Sequence, residues 1–203
     1  MGQYWQPVNL TKREYISPHK LGCGLKLWEQ LVNHPGTGAA LLILTAAMPE
    51  ARGGGDFDLD KNWHGPERTR AHNTTPGPMP EDYPAIAKRT IGRWAGDRIA
   101  IVGDYAERGD LAPDDNADLI YDLCMTEGER QEQVAHLRKL AQEAKENGGT
   151  LHGSTADEFD SKAERLAQAP LYKDISDDVC AVIEHELKGK FQGEGWRDFV
   201  TKE

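Results

Sequence analysis

Cysteine is scarce in this chain, and the few residues present lie far apart. Cys23, Cys124 and Cys180 are the only three among 203 residues. No Cys-x-x-Cys pair occurs, which excludes a zinc ribbon and a thioredoxin-type redox site. An odd, widely spaced set of thiols in an ordinary composition fits a reducing compartment. Long apolar runs are missing as well. The longest, Ala39 to Met48, is interrupted by Thr45 and reaches about half of the roughly 20 residues that span a bilayer. It reads as a core element. Met1-Gly2-Gln3-Tyr4-Trp5 lacks the charged-then-apolar layout of a secretory signal. These absences set the expectation of a soluble, cytoplasmic protein with no membrane contact.

Positive charge is in short supply. Lys plus Arg is 24 against 34 for Asp plus Glu, a formal net charge of −10. Such a field repels nucleic-acid phosphates and anionic lipid, and the basic residues are scattered among acids, so no nucleic-acid partner is expected. Complete catalytic signatures are absent too. There is no Gly-x-Ser-x-Gly elbow, no Walker loop, and no His-x-x-x-His or His-Glu-x-x-His pair among His19, His34, His64, His72, His136, His152 and His185.

What is present is periodicity, enough to place the chain among folded proteins. Residues 3–16 carry aromatic and β-branched side chains around Asn9 and Thr11 and predict a short hairpin. Leu25, Trp28, Leu31 and Val32 recur at helical offsets within Gly24–Asn33, which His34-Pro35-Gly36 ends. Thr37 reads as the cap of a buried helix through Ala47, with a buried strand as the competing reading. Residues 49–80, with Gly53-Gly54-Gly55 and five prolines, show no period. Long stretches of this kind serve as lids, partner-binding loops or insertions. A short helix is expected over Glu81–Thr90 and a central strand over Arg98–Val102. Leu119–Met125 is ambiguous between strand and helix. Val134, Leu137, Leu140, Ala141 and Ala144 form the apolar stripe of a helix over Glu129–Glu146, stopped by Gly148-Gly149. Ser154 or Thr155 should cap a helix to Ala167, and Ser176 a last one carrying Val179, Val182, Ile183 and Leu187. The expected architecture is one α+β domain over residues 1–203, a small, mostly antiparallel sheet covered by several helices, with a long irregular insertion at 49–80.

Two clusters point towards chemistry. The first runs Gly103-Asp104-Tyr105-Ala106-Glu107-Arg108-Gly109, after a predicted strand. Carboxylates at a strand's carboxyl end often hold ligands or metals. The string resembles the Gly-Asp-x-x-Asp-Arg-Gly element of calcineurin-like metallophosphoesterases. That resemblance implies a metal-binding Asp104 and matches Arg108 to the motif's arginine, in a site where paired metals clamp a phosphoryl displacement. Glu107 stands where the motif has its second Asp, and the family's remaining metal-binding motifs are missing. A strand ending in a polar turn explains the same residues more simply.

The second cluster is Asp56 to Glu67. Asp56, Asp58 and Asp60 fall at positions 1, 3 and 5 of a twelve-residue window, and Glu67 at position 12. That is the oxygen spacing of a calcium loop, which makes calcium or another divalent cation the candidate cofactor. Lys61 occupies the position where the sharp turn wants Gly, and Pro66 lies inside the window, so a solvated acidic loop is the simpler reading. His64 and His72 share the same stretch as candidate acid–base or metal groups. Cys23, between Gly22 and Gly24, is placed where a thiol can be activated, though a small buried residue is its commoner role. Trp63 and Trp94 are candidate anchors for a partner.

Three segments together, Tyr4-Trp5 to Tyr15-Ile16, Pro18-His19-Lys20-Leu21-Gly22 to Trp28-Glu29, and Gly92-Arg93-Trp94-Ala95-Gly96-Asp97-Arg98 to Tyr105, resemble a group of small uncharacterised bacterial and phage proteins. The resemblance covers the N-terminal half, carries no activity, and implies that Gly92–Tyr105 forms one structural unit. Two functions therefore compete. One is a non-enzymatic binding or regulatory protein contacting another protein or a small ligand, with Trp63, His64, His72, Trp94, Asp104, Glu107 and Arg108 as candidate contacts. The other is a phosphoesterase-like, metal-dependent hydrolase joining Asp104 to the 56–72 loop. The sequence leaves open whether the protein is an enzyme.

Overall fold

A computed structural model describes residues 3–32, 36–47 and 82–188. The expected insertion at 49–80 lies outside them.

In chain order the elements are β1 (Trp5–Asn9), β2 (Glu14–Tyr15), α1 (Leu27–Val32), α2 (Gly36–Thr45), α3 (Tyr83–Thr90) and β3 (Ile99–Gly103), then a single 3₁₀ turn (Pro113–Asp115). After it come α4 (Ala117–Ile120), α5 (Glu127–Glu146), β4 (Thr150–Leu151), β5 (Ser154–Thr155), α6 (Ala156–Gln168), β6 (Lys173–Asp174) and α7 (Ser176–Lys188). Among the described residues the strands form one four-stranded sheet of order β3-β1-β2-β6 and a β4-β5 pair. Among the described strands only β2 and β6 run parallel. The chain is an α+β protein with a small, mostly antiparallel sheet.

The β1-β2 hairpin forms where the aromatic and β-branched residues predicted it. Its turn is set by Asn9, whose Oδ1 accepts a hydrogen bond from the Lys12 N–H at 2.8 Å, and by Arg13 at a positive φ of 54°. The run from 38, open between strand and helix in the sequence, is helix as far as Thr45. Ala40, Ile43 and Leu44 are buried while Leu42 is 75% exposed, a helical spacing that no strand could produce. Thr37 sits inside that helix, buried, and does not precede it. Leu119–Met125 divides between the end of α4 and a following turn. The Ile99–Val102 strand forms, but at the edge of the sheet and not at its centre, with β1 between it and β2. Its continuous apolar sequence suggested burial on both sides, yet Ile101 is 39% exposed.

The chain divides into two compact units, each assembled from two stretches. Unit 1 comprises Met1–Tyr15 and Ile99–Asp174. Val8, Tyr15 and Val102 from the sheet pack there with Leu119 and Ile120 of α4, and with Val134 and Leu137 of α5. Helices α5 and α6 pack along each other. Each starts on a reciprocal capping box, Thr126 with Glu129 and Thr155 with Glu158. Such a box satisfies N–H groups that the first turn would otherwise leave orphaned. Thr155, and not Ser154, is the cap of α6.

Unit 2 comprises Ile16–Arg98 and Ile175–Glu203. In it α1 packs on α2, and α2 and α3 pack on α7. The turn after α3 is tied to α2 by backbone bonds from Gly92 to Ile43 and from Trp94 to Leu44, at 2.9 and 2.8 Å. Ser176 is the first residue of α7, and its hydroxyl accepts the Ser17 N–H at 2.7 Å. Arg89 of α3 grips Asp178 of α7 with two hydrogen bonds of 2.8 and 2.6 Å. The division between units falls between Arg98 and Ile99, inside the stretch expected to be one structural unit.

Candidate functional site

The strand end at Asp104 is built by the β1-β3 ladder. Asp104 follows the last paired residue of β3, and its own N–H donates to the Tyr4 carbonyl at 3.0 Å. Its Oδ1 accepts the Tyr4 N–H, also at 3.0 Å. The polar turn that follows is closed by the Glu107 N–H donating to Asp110 Oδ2 at 2.8 Å. Arg108 Nε lies 3.7 Å from Asp118 Oδ1, and Arg165 Nη2 lies 2.6 Å from Asp118 Oδ2. Arg108 therefore joins a pair that links α4 to α6. Burial opposes the charge on Asp118. The hydrogen bond and charge of Arg165, with the charge of Arg108, outweigh it and hold the carboxyl below the usual aspartate range.

The other candidates divide by position. Asp56, Asp58, Asp60, Trp63, His64, Glu67 and His72 lie outside the described residues. Trp94 is fully buried in unit 2, where its ring is part of the packed interior. Cys23 is buried too, its thiol donating to the Leu21 carbonyl at 3.7 Å. Among the described residues, no group of three or more His, Cys, Asp or Glu side chains is placed to hold a metal ion.

Unit 1 also carries an open groove of about 470 Å³. One wall is the turn after α4, with Tyr121, Asp122, Cys124 and Met125. The other is the first half of α5, with Glu129, Glu132, Gln133 and His136. Those four α5 positions fall three, four and seven residues apart, so the helix presents them as one stripe beside its buried stripe of Val134, Leu137, Ala141 and Ala144. The groove is acidic. Asp122 faces Lys162 at 2.8 Å. Glu129 Oε2 accepts from both the N–H and the hydroxyl of Thr126 at 2.7 Å, and these bonds lower its pKa. Glu132 and His136 are exposed.

The carboxylates around the groove act on its neighbours in one direction. The Tyr121 phenol is pushed up to about 12, first by burial and then by the carboxylates of Asp104 and Asp122. Burial raises the Cys124 thiol, and Asp174 and Asp122 raise it further. Tyr15 is raised by burial and then by Asp174, with Glu129 contributing. Cys124 also donates to the Ile120 carbonyl at 3.3 Å. A thiol held protonated in this way is not a nucleophile. Tyr121 connects the two features, since Asp104 acts on it from the strand end and Asp122 from the groove. The groove was not legible in the sequence. Its only signal was the polar stripe of α5, which looks like any solvated helix face.

No protein family, curated protein or solved structure matches this chain.

Proposed function

We propose that this chain is a non-enzymatic, cytoplasmic binding or regulatory protein, and that the groove of unit 1 receives a positively charged segment of a partner protein. The observation that carries this reading is the groove itself. It is open, it is lined on both walls by carboxylates, and Tyr121 and Met125 offer apolar surface to the stem of a lysine or arginine side chain. The strand-end motif supports it from the other side, because Asp104 Oδ1 is engaged with the Tyr4 N–H and Arg108 lies against Asp118. A net charge of −10 would steer a basic partner and repel an acidic one.

The test is a calorimetric titration with synthetic peptides at about 0.05 and 0.15 M salt. A lysine- or arginine-rich peptide should bind saturably and more weakly at the higher salt, and an acidic peptide of the same length should not bind. Glu132→Lys should weaken the basic peptide at least about tenfold. Equal binding of basic and acidic peptides, or an unaffected Glu132→Lys variant, contradicts the reading.

The alternative, a metal-dependent phosphoesterase-like hydrolase, draws on the position of Asp104 just past the carboxyl end of β3 and requires further ligands from residues 56–72. Elemental analysis of the purified protein, with a phosphoester hydrolysis assay, tests it. Stoichiometric metal lost together with activity in Asp104→Asn would favour it over the binding reading.

A further inference from the structure

We propose that the groove of unit 1 carries its own competitor: the Lys162 ammonium holds the Asp122 carboxylate, and a basic partner must displace it to bind there. The inference rests on the reading of the groove as a site for a positively charged segment. Lys162 belongs to α6 and lies outside the groove's lining. Its Nζ reaches Asp122 Oδ2, on the wall formed by the turn after α4, at 2.8 Å. The other two carboxylates of the groove differ. Glu129 Oε2 accepts the N–H and the hydroxyl of Thr126, as part of the capping box that starts α5. Glu132 is exposed, and no ion pair or hydrogen bond engages it among the described residues. An incoming basic segment therefore meets Glu132 open, Glu129 tied to its cap, and Asp122 occupied by a cation of the kind the segment brings.

The contact acts as a brake and not as a tether. Helix α6 is already fastened to α4 by Arg165 Nη2 and Asp118 Oδ2 at 2.6 Å. Ala163 and Leu166 of the same helix are buried in the core of unit 1. The helix therefore stays seated when the Lys162 contact opens. The contact can open, because the Lys162 side chain is 35% exposed and that of Asp122 19%. A lysine ammonium is a strongly hydrated charge on a flexible stem, so release into water costs it little. A pair this close to solvent is weak, and it lowers the affinity for a basic partner several-fold without blocking the groove. Affinity at the groove then depends on the charge at residue 162, and neutralising that ammonium frees Asp122 for the partner.

Calorimetric titration of the full chain with a lysine-rich peptide at about 0.05 M salt tests this. Lys162→Gln should raise the affinity about two- to fivefold, the range that an exposed ion pair can withhold. Lys162→Arg keeps the charge and should not raise it. Lys145→Gln controls for net charge. It removes an equal charge and a similar ion pair, with Asp160 at 2.9 Å between α5 and α6, but Asp160 does not line the groove. Its gain should be smaller than that of Lys162→Gln. In an Asp122→Asn background the Lys162→Gln gain should vanish, because the contested carboxylate is gone. A second measurement needs no substitution. As the peptide saturates the wild-type chain, the Lys162 side-chain NMR resonances should move to those of a solvated lysine. A peptide that binds wild type and Lys162→Gln equally overturns the inference and leaves the groove reading standing. So does an equal gain in Lys145→Gln, a gain that persists in Asp122→Asn, or Lys162 resonances unmoved at saturation. A peptide that binds neither wild type nor Lys162→Gln overturns both. If Lys162→Gln does not fold, the resonances of Lys162 decide.

Discussion

Asp104 and Tyr4 clasp each other across the end of the β1-β3 ladder. The Asp104 N–H donates to the Tyr4 carbonyl, and its carboxylate accepts the Tyr4 N–H, each at 3.0 Å. The residue that sequence singles out as a metal ligand thus has a structural task, holding the open end of two strands together.

The clasp predicts a graded loss of stability. Asp104→Ala removes the side-chain bond and should cost about 1 kcal/mol in urea unfolding, the usual net value for one hydrogen bond. Asp104→Asn keeps an acceptor and should cost less. A neutral Asp104→Ala variant would mean that the carboxylate adds nothing to the ladder.

The Asp118–Arg165 pair predicts an acid-side dependence. Because the folded-state pKa of Asp118 is depressed, the unfolded chain binds the extra proton. Its contribution is fully present above the ordinary aspartate value of roughly 4 and is lost as pH falls through the lower folded value. Asp118→Asn should flatten the stability profile in that window while leaving the slope above it unchanged. Asp118→Ala leaves Arg165 without its partner, with 28% of the side chain exposed, and should cost about 2 kcal/mol at neutral pH, below the fully buried case. Urea midpoints at a series of pH values check both.

The reach of sequence differs between fold and site, and particular residues show why. Helix α5 was legible because Val134, Leu137, Ala141 and Ala144 repeat at its period, and Thr126 with Glu129 close a local capping box. The edge position of β3 was not, because Ile99 to Val102 are apolar either way and strand order depends on distant residues. The groove was hidden for a related reason. Asp122 and Glu132 become one surface only when the turn after α4 folds beside α5, and nothing local marks that meeting. Trp94 misled as a surface anchor, since a tryptophan flanked by Arg93 and Asp97 can still be fully buried.

That burial makes a prediction for unit 2. Trp94→Ala should destabilise it by about 3 to 5 kcal/mol, the range for removing a large buried aromatic side chain. Trp94→Phe should cost less. Far-ultraviolet circular dichroism is the readout, because its signal comes from the helices and not from the ring that is removed.

Cys124 predicts slow chemistry. A thiol raised by burial and by Asp174 and Asp122 should alkylate at neutral pH at least about tenfold more slowly than a free thiol. Mass spectrometry at the Cys124 peptide over a time course measures this, and rapid modification there would contradict the electronegative field assigned to the groove.

The most direct test of the groove is residue-level NMR on the labelled protein during addition of a lysine-rich peptide. The binding reading predicts saturable shifts gathered at Tyr121, Asp122, Met125, Glu132 and His136, reduced in Glu132→Lys. Shifts scattered over the whole acidic surface, or none at these residues, would contradict it.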